Sequence, residues 1–273
     1  MNSMIYKAIQ YHEKGTTGVI TLNRPDQRNA LDIDMREEIG IAVRRIRDEK
    51  KLSALIVTGA GGAFCAGGDL KALTEEKRPV TANRERIRRM HIWFHELVNL
   101  EMPVIAAVDG PAFGAGFNMA LAADFILCTP RSKFCSVFGR IGLVPDLGGF
   151  FLLPRIVGLQ RAKEIVFSSR TIKADEALEL GIAYAIHDAD TLLGEAHALA
   201  DRFALASTEA IGMAKTILNQ SFHSDQHAMA ELESYAQAVA MDSAYHLDAV
   251  QRFLDKKPLQ FDWDRLSKAD DPS

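Results

Sequence analysis

Short runs rich in β-branched residues alternate with stretches whose apolar side chains recur at helical spacing, and this alternation leaves the chain few architectures to adopt. Val19 to Leu22, Ala54 to Val57, Val104 to Val108 and Phe125 to Cys128 are each bounded by turn residues and read as buried strands. Between them, Leu31, Met35, Ile39, Ala42 and Ile46 keep one apolar stripe from a start near Asp32 to a charged end at Lys50 and Lys51. A second stripe runs through Ile87, Met90, Phe94 and Leu97. Strand and helix in turn predict an α/β layered fold. After about residue 190 the strand signals stop, and Leu192, Ala196, Leu199, Phe203 and then Met229, Leu232, Ala236, Val239 mark successive helices. The expected division is a core over 1–190 and a helical subdomain over 191–273. The spare apolar faces of that subdomain are free to pack on the core or on another subunit.

A chain of 273 residues, 48% hydrophobic and 25% charged, buries a sizeable interior without a disulfide scaffold. Its cysteines, Cys65, Cys128 and Cys135, form no Cys-x-x-Cys pair and no zinc-type spacing, so they are expected in or near the core, with no metal. No apolar run is long enough to cross a bilayer, which argues against a membrane role. Met1 to Gly15 lacks the apolar centre of a secretory signal, so a cytoplasmic protein is expected. The net charge of −4 gives no global attraction to nucleic acid. Between Lys71 and Arg89, however, seven basic residues face three acidic ones, as a solvated helix face or as a local site for a polyanion.

Two glycine-rich segments follow predicted strands: Gly59 to Leu70 (GAGGAFCAGGDL) and Gly110 to Asn118 (GPAFGAGFN). Glycines there serve ordinary turns, or let a ligand approach main-chain N–H groups with no Cβ in the way. Neither is a nucleotide loop. Phe64 stands where a dinucleotide fingerprint needs its third glycine, and no Gly-Lys-Ser/Thr ending is present. A third segment, Gly142 to Gly149 (GLVPDLGG), sets Asp146 ahead of a helical stretch, either as an N-cap or as an acid/base carboxylate at a loop mouth. There is no Gly-x-Ser-x-Gly elbow and no His-Glu-x-x-His. His91 with His95, and His223 with His227, are four apart, but no third ligand suggests itself, and helix-border histidines are the simpler reading.

Taken together and in order, these segments resemble the enoyl-CoA hydratase/isomerase (crotonase) superfamily over nearly the whole chain. Val19 to Leu31 (VITLNRPDQRNAL) is similar to its first strand and coenzyme-binding turn. Phe64 to Lys71 (FCAGGDLK) and Pro103 to Ala122 (PVIAAVDGPAFGAGFNMALA) resemble the two loops that donate oxyanion N–H groups. Gly142 to Gly158 (GLVPDLGGFFLLPRIVG) resembles the loop and helix behind the reacting carbons, and Phe253 to Phe261 (FLDKKPLQF) the coenzyme-contacting tail. One such motif is weak evidence; five in register are specific.

The resemblance implies a spiral α/β core of repeated ββα units with C-terminal helices, an acyl-CoA substrate, no separate cofactor, and a trimer or dimer of trimers. It places the two enolate-stabilising amides at Gly68 and Ala115. Arg28, Ala30, Ala66, Leu70 and Lys71 would line the nucleotide end, with Phe253 and Lys256 closing over it. The hydratases of the superfamily carry two glutamates, and at the matching positions here stand Asn118 and Phe138, neither of which can transfer a proton usefully. Asp146 remains, in a Pro-Asp-x-Gly-Gly loop like that of isomerase members. One carboxylate suffices for a 1,3-proton shift, because the group that takes the proton can return it elsewhere. The expectation is therefore an enoyl-CoA isomerase. Behind it stand hydrolysis or dehalogenation through Asp146, hydration with water held another way, and an acyl-CoA-binding protein without turnover.

Overall fold

The computed structural model describes residues 6–69 and 78–269. Six strands form the main sheet: β1 (Ile9–Lys14), β2 (Thr17–Leu22), β3 (Ala54–Gly59), β4 (Val104–Val108), β6 (Phe125–Cys128) and β9 (Ala185–Ile186), in the spatial order β1-β2-β3-β4-β6-β9. Only the β1–β2 pair is antiparallel, and all the others run parallel. A smaller sheet holds β5 (Pro111–Phe113), β7 (Lys133–Cys135) and β8 (Thr171–Lys173). The four strands read from the sequence are all present. β1 was not legible, because an edge strand needs few apolar residues, and of its six only Ile9 is buried.

Period-two alternation divides the sheet's side chains between two cores. Ile20, Leu55, Val57, Val104, Ala106 and Ile126 point to one face; Val19, Ile56, Ile105, Ala107 and Leu127 point to the other. Helices α1 (Ile33–Glu49) and α2 (Val80–Val98) cover the first face with Met35, Ile39, Ile46, Met90, Phe94 and Leu97, the stripes expected of them. Asp32 caps α1 by accepting the Met35 N–H at 2.9 Å. The second face is covered by α7 (Leu192–Phe203), through Leu192, Ala196, Leu199 and Phe203.

Along the remaining chain lie α3 (Ala115–Leu121), α4 (Gly149–Val157), α5 (Leu159–Ser168) and α6 (Ala174–Glu179), then α8 (Thr208–Gln220), α9 (Gln226–Met241), α10 (Ala244–Leu254) and α11 (Trp263–Ala269). Helices α9 and α10 bury no residue in the single chain, and Tyr235, Val239 and Leu247 stand exposed. Among the described residues no helix is long and apolar enough to cross a membrane.

Helix α8 is anchored through a buried cation. The Lys215 ammonium donates to Asp124 Oδ2 at 2.6 Å and to the Met102 carbonyl at 3.0 Å, while the same Asp124 oxygen accepts the Val104 N–H at the start of β4. Burial lowers the Lys215 pKa, with Asp124 opposing. Asp124→Ala should therefore strand the ammonium and lower the unfolding free energy by roughly 3–5 kcal/mol in urea titration. Adding Lys215→Met to that variant should restore much of the loss, and an unchanged midpoint for the double variant would show that charge burial is not its origin.

Candidate active site

Because β2, β3 and β4 are adjacent and parallel, the loops leaving their C-terminal ends emerge on one side of the sheet. Sequence segments some forty residues apart are thereby set side by side. The turn after β2 is zipped to the loop after β3: Leu31 N–H donates to the Gly67 carbonyl at 2.8 Å, Asp69 N–H to the Leu31 carbonyl at 3.3 Å, and Ala66 N–H to the Arg28 carbonyl at 2.9 Å. The β3 loop is joined in turn to β5, with Cys65 N–H donating to Pro111 O at 3.0 Å and Phe113 N–H to Cys65 O at 2.9 Å.

This pairing frees the N–H of Gly68. In a parallel bridge the partner residue bonds to the residues on either side, here Gly67 and Asp69, so Gly68's own amide faces away from Leu31. Ala115 opens α3, where the first N–H groups have no intrahelical partner. Among the described residues, neither amide has a backbone acceptor. The two loops touch: a Cβ at Gly67 (φ 99°) would lie 2.8 Å from Phe113 O and 3.7 Å from Ala115 N. At Gly116 a Cβ would meet Cys65 O at 2.4 Å, so only glycine allows α3 to start this close to the β3 loop.

Gly68 and Ala115 line one cavity of about 680 Å³ with Ala66, Phe138, His91 and Asp146. Asp146 is the one carboxylate among its described lining residues. It does not cap α4: that position falls to Gly148, without a side-chain cap. Instead its Oδ1 is buried without a hydrogen-bond partner. Burial pushes the Asp146 carboxyl above the usual carboxylate range, against the opposing charges of Arg36, His91 and Arg86. The loop is held under strain, with Leu147 fully buried at φ 39°, in the left-handed region that a leucine rarely enters.

Asn118 holds this loop. Its Nδ2 donates to the Asp146 carbonyl at 2.7 Å, and its amide lies so close under Gly149 that a Cβ there would meet Nδ2 at 2.6 Å. Asn118, where the resemblance expects one hydratase glutamate, is thus a buried strut for the Asp146 loop, a role no local pattern announces. Phe138, where it expects the other, forms an apolar wall, 8% exposed. Cys65 offers no nucleophile, since burial pushes its thiol up to about 12.

Of the other residues expected at the site, the structure brings Arg28 and Ala30 beside Ala66 on the zipped turns, with the Arg28 side chain exposed. Leu70 and Lys71 lie outside the described residues. Phe253 ends α10 with 73% of its surface exposed, Lys256 follows in a left-handed turn, and neither lines the cavity. Two cavity residues carry no sequence motif: Arg36, next to an apolar stripe position, and Arg86, inside the mixed-charge run.

Chain-wide comparison agrees with the site. The family model "Enoyl-CoA hydratase/isomerase" matches residues 12–264. The protein named "Probable enoyl-CoA hydratase" in Rhodobacter capsulatus is 36% identical, covering 94% of this chain and 99% of its own. The 1,2-epoxyphenylacetyl-CoA isomerase of Escherichia coli is 32% identical over 93% of this chain and 97% of its own. The crystal structure of an enoyl-CoA hydratase/isomerase from Cupriavidus metallidurans superposes with a TM-score of 0.90 at 37% identity, covering 95% and 97% of the two chains. The fold and site define an acyl-CoA-processing enzyme with an α/β core and C-terminal helices. The chain belongs to the enoyl-CoA hydratase/isomerase family, the crotonase superfamily.

Two outcomes follow for the acid loop. Asp146→Ala or Asp146→Asn should raise the melting temperature near neutral pH. A raised folded-state pKa means that ionisation opposes folding as pH rises, so the gain should shrink on acidification towards about pH 4. Asn118→Ala should cost roughly 1–3 kcal/mol in denaturant unfolding, because a buried partner is lost.

Proposed function

We propose that the protein is an enoyl-CoA isomerase in which the Gly68 and Ala115 amides stabilise a thioester enolate and Asp146 moves the proton. The observation that carries this reading is the single described carboxylate in a cavity lined by Gly68 and Ala115, whose amides have no backbone acceptor. An α-proton of a thioester becomes removable when preorganised donors meet the developing oxyanion, worth roughly 2.7–4 kcal/mol per donor. Asp146 takes a proton from one carbon flanking the double bond, the dienolate forms, and the same carboxyl returns a proton two carbons away. Burial raises its basicity, which suits that exchange. The wall of Phe138 keeps away the water a hydratase would admit.

Within this reading the 191–273 helices form the subunit interfaces of a trimer or dimer of trimers, and the exposed Phe253 and Lys256 close over a site once chains assemble. A cytoplasmic location belongs to the same reading.

Purified protein given a 3-enoyl-CoA should produce the conjugated 2-enoyl thioester. Asp146→Asn should slow this by a factor on the order of 10²–10⁴, and kcat/KM should fall on the acid side with a midpoint above that of an ordinary aspartate. Wild-type rates in the asparagine variant would remove Asp146 from the mechanism. The name of the Rhodobacter capsulatus relative favours a second reading, hydration. Faster water addition to crotonyl-CoA than double-bond migration would establish it.

A further inference from the structure

An enzyme that moves double bonds in plain hydrocarbon chains needs only an apolar pocket, and this one, though walled largely by Ile87, Met90, Phe138 and Leu143, also carries arginines. Arg36, on α1, is 9% exposed, and Arg86, on α2, is half-buried; both line the cavity that holds Asp146 and the two free amides. The Nε of each guanidinium is buried without a hydrogen-bond partner. Arg36 is held in place by donating from Nη2 to the Leu31 carbonyl at 2.7 Å, and this same Nη2 lies 3.9 Å from where a Cβ on Gly68 would stand. Arg36 therefore sits beside Gly68, at the end of the site where the proposed function puts the thioester.

No salt bridge within 4.0 Å joins Asp146 to either arginine among the described residues, so the three groups are held apart around the cavity. A third arginine of the lining, Arg140, is already engaged with the Ser169 carbonyl and Cys135. The described lining thus carries more positive than negative charge. Burial and then repulsion from Arg86 disfavour the charged form of Arg36, while Asp146, Asp32 and Asp69 favour it. Such an arrangement is stable when an anion completes it, since guanidinium N–H groups pair with carboxylates in directed, charge-assisted bonds. A hydrocarbon acyl chain would instead leave the arginine charges of the lining without a counter-anion from the substrate.

From this geometry we infer that the acyl group of the substrate carries its own carboxylate, which Arg36 and Arg86 bind, so that the preferred substrate is the monothioester of a dicarboxylic acid. The inference rests on the acyl-CoA reading above and narrows its substrate class. It also gives the arginines a use that neither α1's core stripe nor α2's solvated face requires.

Calorimetric binding of freshly prepared saturated thioesters, which hold no double bond to shift, tests it. Succinyl-, glutaryl- and adipoyl-CoA would be compared with butyryl-, pentanoyl- and hexanoyl-CoA, each pair sharing a carbon count, with free CoA and free glutarate as controls. At least one dicarboxylic thioester should bind roughly 10- to 100-fold more tightly than its monocarboxylic partner. Arg86→Gln should bring that ratio towards one, Arg36→Gln should do so more completely, and Arg36→Lys should retain part of it. Equal or reversed preference in the wild type, or a preference that survives in both glutamine variants, overturns the inference while leaving acyl-CoA binding intact. Binding of none of the thioesters overturns both readings. The wild-type ratio decides the matter even if Arg36→Gln does not fold.

Discussion

Two one-residue parallel bridges, Leu31 with Gly68 and Cys65 with Ala112, set the geometry on which the rest of the site depends. The first leaves the Gly68 amide facing away from Leu31, and the second ties the β3 loop to β5, just ahead of the turn from which Ala115 opens α3. The bridges can form only because β2, β3 and β4 lie side by side and parallel, so that their outgoing loops share one edge. Asn29 locks the set: its Nδ2 donates to the Ala60 and Ala63 carbonyls at 2.8 and 2.7 Å while its Oδ1 accepts the Arg24 N–H at 2.9 Å. Backbone amides fixed by such a frame need no reorganisation when negative charge develops, which makes them better catalysts than mobile side chains.

The same frame tolerates charge burial that a core would not. Asp146, Arg36 and Arg86 each contain a buried atom without a partner, and each is displaced from its ordinary pKa first of all by burial. Stability alone would favour a hydrogen-bonded or apolar substitute at every one of them. Their clustering in one cavity, beside a leucine at positive φ, locates the part of the molecule where folding has been compromised for binding and chemistry.

How much of this could be read in the sequence differs by kind of feature. Strands such as Val104 to Val108 were legible because burial on both faces demands continuous apolar character, and α1 because its stripe and its Asp32 cap agree. β1, β5 and β8 were not, since edge and three-residue strands need little apolar surface. Gly68, Ala115 and Asp146 were expected through resemblance, and the structure brings all three to one cavity, with a backbone that requires glycine beside the two amides. Arg36 and Arg86 escaped notice because a charged residue at the border of a helical stripe normally snorkels to solvent, and only the tertiary pairing of α1 with α2 turns these two inward. The stripe on α9 was read as a helix face; in the single chain it is covered only in part, with Met229 and Ala236 half-buried but Leu232 and Val239 exposed.

On the proposed isomerase reading, Asn118 is the means by which this fold changes reactions without moving its backbone. A glutamate at that position would bring a second carboxylate close to Asp146, and two like charges in so dry a site would drive one of them to stay protonated. The asparagine has the same reach and no charge, and its amide bonds to the Asp146 carbonyl from beneath Gly149. The lone acid is therefore oriented by a neutral neighbour and tuned by burial and by the arginines opposite. If the arginines hold a carboxylate on the acyl chain, the bound anion would reduce their net pull on Asp146 and leave its carboxyl more basic in the complex than in the free enzyme. Substrate binding and proton transfer would then be coupled through a single electrostatic arrangement, with selectivity and basicity set by the same pair of guanidinium groups.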